Sequence, residues 1–302
     1  MLWNCEQELA LCLRSLRASE GATVEVICVD NASEDHSVAV ARDHGVHVLE
    51  MDANVGFPAA VNAGLHLATA PYVLLLNPDV EVSTATIATC LKVLATDPGV
   101  GVVGANLRRT DGSPDWAAAR KFRSLSGIAL ETLGLTRLSR RLDRQYYPAW
   151  DRKDSRDVEC INGAFMLLSS ELLRGLGGLD ETVFMYLEDQ ELCRRIEGTG
   201  QRVRFVADAV AIHVGGASTL RASPTRRTLA YLHRTDADIE LVARRSGPTA
   251  RRAAIALFGL RALLGLAVAT ATKDTDLRSK YAATLSWLSM QHQLRIPPPP
   301  IV

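Results

Sequence analysis

Tyr72-Val-Leu-Leu-Leu-Asn77-Pro78-Asp79-Val80 is the stretch that decides how this sequence folds. Five apolar residues in a row, ended by turn chemistry, match a strand buried on both faces better than a helix. Pro78 has no N–H for a ladder and pushes Asn77 toward extended backbone, so the strand stops there. A carboxylate, Asp79, therefore stands just beyond the carboxyl end of a buried strand.

The same alternation runs outward from this point. Val24-Glu-Val-Ile-Cys-Val29 is a β-branched run, and Asp30-Asn-Ala-Ser-Glu-Asp35 after it is turn chemistry leading into a helix. Val46 to Leu49 is a second strand, Ala59 to Ala68 and Thr84 to Ala95 have helical patterns, and Val100 to Val103 is a further strand. Near the start, Asn4 and Gln7 have capping-box spacing for a helix through about Arg17. Strands alternating with helices predict parallel β-α-β units, with ligands beyond the carboxyl ends of the strands. Residues 106 to 157 interrupt this rhythm with polar, arginine-rich sequence. Strand patterns return at Val158 to Ile161 and Ala164 to Leu168, then a helix from Glu188 to Glu197, then strands Arg202 to Val206 and Ala209 to His213. The expected fold is α/β: a Rossmann-like, mostly parallel sheet flanked by helices over residues 1–218, followed by a basic, apolar helical region over 219–302.

Composition narrows the function classes. The 302 residues carry 34 Lys+Arg and 34 Asp+Glu, with 47% hydrophobic and 23% charged residues. That is a globular composition, and zero net charge argues against general nucleic-acid binding. Six cysteines without a C-x-x-C pair read as reduced core residues of a cytoplasmic protein. Between Arg221 and Arg261, however, nine arginines face three acids.

Four loops carry candidate chemistry. Asp79 is placed either to hold a hard divalent cation bridging to phosphates or to cap a helix starting near 82–84. Glu188-Asp189-Gln-Glu191 clusters acids at a helix start, following the Gly177-Gly-Leu-Asp180-Glu turn, where one carboxylate can serve as a general base. His213 ends a strand before Gly215 and Gly216. Asn54-Val-Gly56-Phe leads into a helix whose N-terminal amides can face a phosphate or sugar. There is no G-x-G-x-x-G and no Walker lysine, which sets aside the common dinucleotide and P-loop motifs.

Taken in order, Asp30-Asn31-Ala-Ser33-x-Asp35, Asn54-x-Gly56-Phe, Asn62-x-Gly64, Asn77-Pro-Asp79, Asn162-Gly163-Ala164, Gly177-Gly-Leu-Asp180-Glu and Phe184-Met-Tyr-x-Glu188-Asp189-x-Glu191 resemble glycosyltransferase family 2, closest to its bacterial rhamnosyltransferase-type members. The resemblance spans roughly residues 4 to 218 and implies the GT-A fold. It implies that Asp30 contacts a nucleotide base, that Asp79 and His213 hold Mg2+ or Mn2+ on the donor diphosphate, and that Asp189 is the catalytic base. Asn31, Asn54, Gly56, Asn62, Asn77, Gly163 and Glu188 would line or orient the substrates. The implied reaction is an inverting transfer of a sugar, rhamnose first among them, from a TDP- or UDP-sugar donor. Its acceptor would be a cell-envelope glycan or a polyprenyl-diphosphate-linked lipid. Arg120 and Arg123 are candidates for binding an acidic acceptor or for a solvated basic loop. Asn77 stands where the family's D-x-D element has its first acid, leaving fewer negative ligands.

Two regions depart from the pattern. Only Met1-Leu-Trp3 precedes the first helix, where such a sheet is expected to start with a strand. About six to ten further residues are expected ahead of Met1 from the usual strand length, and a catalytically inactive nucleotide-sugar-binding or scaffold protein is the alternative if that strand is missing. At the other end, residues 221–272 suit a peripheral contact with the inner face of the membrane, arginines toward anionic headgroups, or a helical packing surface.

Overall fold

The computed structural model describes residues 1–138, 142, 145–215 and 223–291. In chain order the elements are α1 (Glu6–Arg17), β1 (Ile27–Asp30), α2 (Ser37–Asp43), β2 (His47–Glu50), α3 (Phe57–Leu67), β3 (Tyr72–Leu76), β4 (Val80–Val82), α4 (Thr86–Thr96) and β5 (Val100–Arg108). A 3-10 turn, Trp116–Ala118, leads to β6 (Ala119–Arg120), α5 (Leu125–Thr132), α6 (Leu135–Leu138), β7 (Arg156–Asp157), β8 (Cys160–Ile161) and β9 (Phe165–Ser169). Then come α7 (Ser170–Gly175), α8 (Glu188–Gly198), β10 (Arg202–His213), α9 (Pro224–Ala271) and α10 (Thr275–Met290).

The chain forms two compact units. The first comprises Met1–Lys121, Trp150–Phe184 and Glu188–Ser218. Its main sheet has the order β3-β9-β5-β10-β4, with β7 against β10, while β1 and β2 pair in parallel and β6 pairs with β8. The parallel sense expected from the alternation holds for β1 with β2 and for β5 with β10. The main sheet is mixed: β9 lies between β3 and β5 and runs antiparallel to both, and β4 and β7 run antiparallel to β10. Nothing in the local pattern of Ala164 to Leu168 encodes that insertion, since an apolar run fixes burial and not direction. Arg202 to His213 forms one strand, bent by a register shift between Val206 and Val210.

Two local expectations change. No capping box forms at Asn4: its Oδ1 accepts from the Glu34 N–H at 2.8 Å, and Asp35 Oδ2 accepts from Glu6 N–H at 3.0 Å. The loop after β1 thus satisfies the first turn of α1 from outside. Asp79 caps no helix, because β4 intervenes and α4 begins only at Thr86 with Ala85 at its N-cap. All six cysteines are free and buried, as a reduced core requires; burial pushes the Cys12 thiol up to about 12.

The second unit comprises Phe122–Ala149, Met185–Leu187 and Thr219–Val302. It takes in part of the arginine-rich insertion, which the division at 218/219 assigned to the catalytic domain; that boundary itself, like Pro297 to Pro300, lies outside the described residues. Its core joins Ile128 of α5, Leu232, Ile239, Ile255 and Phe258 of α9, and Trp287 of α10. Ser223 caps α9, and the helix kinks at Gly247, whose φ of 82° precedes Pro248. α9 is long and apolar enough to cross a membrane by length and composition alone. Arg261 interrupts that apolar run and bonds Glu131 at 3.2 Å. Ala254, Phe258, Ala262 and Ala269 are buried, while Leu260, Leu263, Leu264 and Val268 are exposed.

Candidate active site

Asp30 ends β1 and is almost fully buried. Its Oδ2 accepts from the Ser33 N–H at 3.0 Å, whereas Oδ1 is buried with no hydrogen-bond partner. A buried carboxylate oxygen left unmatched is costly and suits a ligand donor. Asn31 beside it is occupied by the fold: its amide donates to Asn54 Oδ1 at 2.8 Å and its Oδ1 accepts from Val55 N–H at 2.9 Å. Asn54 Oδ1 also accepts from Gly56 N–H at 3.1 Å. These two side chains therefore brace the β1 and β2 loops against each other. Gly56 has φ 89°, and a Cβ there would lie 2.7 Å from the Phe184 carbonyl oxygen, which accepts from Phe57 N–H. Only glycine fits such an approach at that backbone angle. Asn62, on α3, pins the glycine turn: its Oδ1 accepts from Leu179 N–H at 2.8 Å, and its amide donates to Leu179 O and Glu181.

A second cluster forms beyond the carboxyl end of β3. Asp79 Oδ1 lies 3.6 Å from His213 Nε2, and His213 Nδ1 bonds Asp115 Oδ2 at 3.0 Å. The backbone closes the same corner, with Val214 N–H donating to Asp79 O at 3.0 Å. Burial disfavours a charged His213, but the Asp115 bond and the charges of Asp79 and Asp115 outweigh it and raise its pKa. For Asp115, burial pushes upward, but the His213 bond, the Ala117 amide and nearby positive charge leave its carboxyl below the usual range. The donor set fits a divalent cation. Asp79 offers a hard oxygen, and with a carboxylate on Nδ1 the Nε2 of His213 would be the nitrogen left to ligate a cation. Among the described residues no group of three or more such side chains forms. Asp115 was not among the sequence candidates. Its signal was a carboxylate just after the Gly112-Ser-Pro turn, with nothing local to link it to His213, 98 residues away.

The third cluster surrounds Asp189, in the first turn of α8. Its Oδ2 accepts from Gly163 N–H at 3.1 Å and from the Arg120 guanidinium, and its Oδ1 from Gln190 N–H at 2.7 Å. Glu188 Oε1 lies near Gly163 as well, 3.6 Å from where a Cβ on that glycine would be. Asn77 ties this cluster to β3, its N–H donating to Ala164 O at 3.0 Å. Arg120 is therefore not presented to an acidic acceptor. Nor is Arg123, buried in the second unit and paired with Glu131 and Asp238. The short segment Asp115 to Arg120 thus carries both a partner of His213 and a partner of Asp189.

This sheet, with carboxylates at the ends of β1 and β3, is the GT-A fold of a glycosyltransferase. The chain belongs to glycosyl transferase family 2, whose model matches residues 2–176, and it is rhamnosyltransferase-like within it. It is 30% identical over 223 residues to N-acetylglucosaminyl-diphospho-decaprenol L-rhamnosyltransferase of Mycobacterium tuberculosis H37Rv, covering 69% of this chain and 72% of that protein. It is 27% identical over 143 residues to rhamnosyltransferase WbbL of Escherichia coli K12, covering 47% and 52%. Among solved structures, mannosyltransferase PcManGT from Pyrobaculum calidifontis, in complex with GDP-Man and Mn2+, superposes with a TM-score of 0.56 at 18% identity, over 97% of this chain and 86% of that one.

Proposed function

We propose that this enzyme transfers a sugar, rhamnose in the first instance, with inversion, from a TDP- or UDP-sugar to a polyprenyl-diphosphate-linked or cell-envelope glycan acceptor. The observation that carries this reading is the free, buried Oδ1 of Asp30 at the end of β1. It supports recognition of a base with an imide N–H, as thymine and uracil have. The decaprenol-linked substrate named for the mycobacterial relative supports the acceptor class.

Asp79 and His213 would hold Mg2+ or Mn2+, with Asp115 fixing the imidazole. A bound divalent cation offsets the charge growing on the departing diphosphate. Asp189 takes the proton from the attacking acceptor hydroxyl. Its Oδ1 holds one hydrogen bond and keeps lone-pair capacity, while Arg120 and Gly163 fix Oδ2 and so aim the carboxylate. Glu188 and Asn77 shape the walls around it. Asn31, Asn54, Gly56 and Asn62 serve the substrates indirectly, by holding the loops that receive them. A lipid-linked acceptor also makes a peripheral membrane contact through the apolar second half of α9 useful, at a cytoplasmic membrane face.

Thermal unfolding with UDP, TDP and GDP, each with and without Mn2+, tests the donor site. One nucleotide should raise the melting temperature, and only with metal. In the same experiment Asp189→Asn should keep that shift while turnover falls by about 10²–10⁴-fold, the usual contribution of a general base. A protein that binds nucleotide but shows no turnover before mutation is the inactive scaffold instead.

A further inference from the structure

Arg152, in the arginine-rich stretch ahead of β7, is a full-length cationic side chain at only 1% exposure. Its backbone sits at φ 63°, a left-handed conformation that a non-glycine residue keeps only where its surroundings hold it there. The guanidinium carbon lies 4.5 Å from the Trp116 ring centroid and 5.1 Å from that of Trp150. Nη2 donates to Trp116 O at 2.9 Å and to Ala119 O at 3.1 Å, and Nη1 donates to Trp150 O at 3.3 Å. Burying a cation is costly unless hydrogen bonds and aromatic faces stand in for water. Two of these three carbonyls and one of the two rings belong to a single short segment, residues 116–119.

That segment joins two clusters of the first unit. At its start, Asp115 bonds His213, and Asp115 Oδ1 accepts from Ala117 N–H at 2.9 Å to begin the 3-10 turn. At its end, Arg120 holds Oδ2 of Asp189. Ala118 O accepts from Asn162 N–H at 3.2 Å, beside Gly163, whose amide meets the same Asp189 oxygen. The ladder of β6 with β8 is only two residues long, Ala119 with Ile161 and Arg120 with Cys160, so it constrains the segment little. Arg152 bonds the first carbonyl of the turn and the carbonyl just after its last residue.

We infer that Arg152, on the roles proposed above for Asp115, His213, Arg120 and Asp189, is a positioning residue: it clamps the 115–120 segment so that Asp115 meets His213 and Arg120 meets Asp189 at once. Its own footing is fixed. Trp150 packs edge-on to Phe205 of β10 with centroids 4.8 Å apart, and its Nε1–H donates to Asp154 at 2.8 Å. Lysine would keep the charge but not the planar, forked head that donates to several carbonyls beside aromatic faces. With the clamp released, the segment would shift and carry both partners with it. A displacement of about 1 Å in groups that aim a reacting residue can cost about 10²-fold in rate.

The test compares the unaltered protein with Arg152→Met, Arg152→Lys and Leu173→Ala, a control whose buried side chain on α7 takes no part in these hydrogen bonds. In the metal-free protein, Arg152→Met should speed amide exchange at Ala117, Ala118 and Asn162 by about tenfold or more beyond any change in Leu173→Ala. Mn2+ affinity, titrated by electron paramagnetic resonance, should fall by about tenfold or more. At saturating Mn2+, kcat should fall by about 10–10²-fold with a much smaller change in KM. Arg152→Lys should lie between, and Leu173→Ala should lose melting temperature while keeping Mn2+ affinity and kcat. An Arg152→Met protein that matches Leu173→Ala in exchange, Mn2+ affinity and kcat would overturn the inference and leave the arginine a packing residue. If the unaltered protein neither binds Mn2+ nor turns over, the proposed function fails, and exchange decides the clamp by itself: faster exchange at Ala118 and Asn162 supports it, unchanged exchange overturns it. Should Arg152→Met not fold, Arg152→Lys carries the same comparisons.

Discussion

Arg120 and Asp189 form a buried ion pair, their side chains 11% and 6% exposed, in which the guanidinium and the Gly163 amide share one carboxylate oxygen. Removing one partner of such a pair leaves the other charge in a place water barely reaches. Arg120→Ala is expected to cost about 3–5 kcal/mol of stability, read as a lower urea midpoint. Arg120→Lys keeps the charge and loses the planar fork, so its stability should fall between the two. If Arg120 also aims the carboxylate, Arg120→Lys should lower kcat more than KM changes. A lysine variant with unchanged kcat and pH profile would leave Arg120 a purely structural partner.

Asp115 bonds the His213 imidazole, and in the proposed metal site its part would be to orient that ring. Replacing Asp115 by asparagine preserves shape and one hydrogen bond but removes the charge that favours an N–H on Nδ1. Loss of such a partner behind a metal-binding histidine lowers metal affinity by about 10–100-fold. Titration of Mn2+ by electron paramagnetic resonance should show that drop in Asp115→Asn and a larger one in Asp79→Asn. Unchanged Mn2+ affinity in Asp115→Asn would mean that the His213 ring is held by packing.

Gly56 offers a test by geometry. At φ 89° and with a Cβ 2.7 Å from Phe184 O, alanine must move the backbone that carries the Phe57–Phe184 hydrogen bond. Gly56→Ala should destabilise the protein by about 1–3 kcal/mol and weaken nucleotide binding, since Asn54 and Asn31 are anchored to the same loop. Calorimetric titration with the stabilising nucleotide measures both the loss and its enthalpy. Normal affinity and stability would show that the loop shifts freely.

These clusters also show what a sequence can and cannot disclose. β3 matches its expected bounds, Tyr72 to Leu76, because a dense apolar run closed by Asn-Pro-Asp leaves little choice. The Asp79–His213 proximity follows from the antiparallel pairing of Val80 with His213, which the ordered family motifs implied and no local pattern could. The partnerships of Asp115 with His213 and of Arg120 with Asp189 were hidden for a different reason. Asp115 and Arg120 lie in a stretch without hydrophobic periodicity, and their partners are 98 and 69 residues away. The insertion of β9 between β3 and β5 is likewise a matter of tertiary pairing. An apolar strand carries no mark of the neighbour it will choose.

The arginine-rich segment that looked like a basic surface contains a buried charge network, and its pH dependence can be worked out. Arg123 donates to Glu131 Oε2 at 2.7 Å, lies 3.2 Å from Asp238, and shares Glu131 with Arg261. Burial raises the Glu131 pKa, but the bonds and charges of Arg123 and Arg261 outweigh it, so its carboxyl lies below the ordinary value of 4.5. A carboxyl depressed in the folded state adds stability above its unfolded pKa and loses that contribution as pH falls through the folded one. The unit built on α5, α9 and α10 should therefore weaken progressively below about pH 4.5. Glu131→Gln should be less stable by about 1.5–3 kcal/mol at pH 7, the usual worth of a hydrogen bond to a charged group. Its deficit should shrink as pH falls through the depressed folded-state pKa, where the wild-type carboxyl becomes protonated as well. Urea midpoints followed by far-ultraviolet circular dichroism at pH 7, 5, 4 and 3 give both curves. Parallel curves across that range would mean that Glu131 contributes through packing, since only a charge-dependent bond makes the two proteins converge in acid.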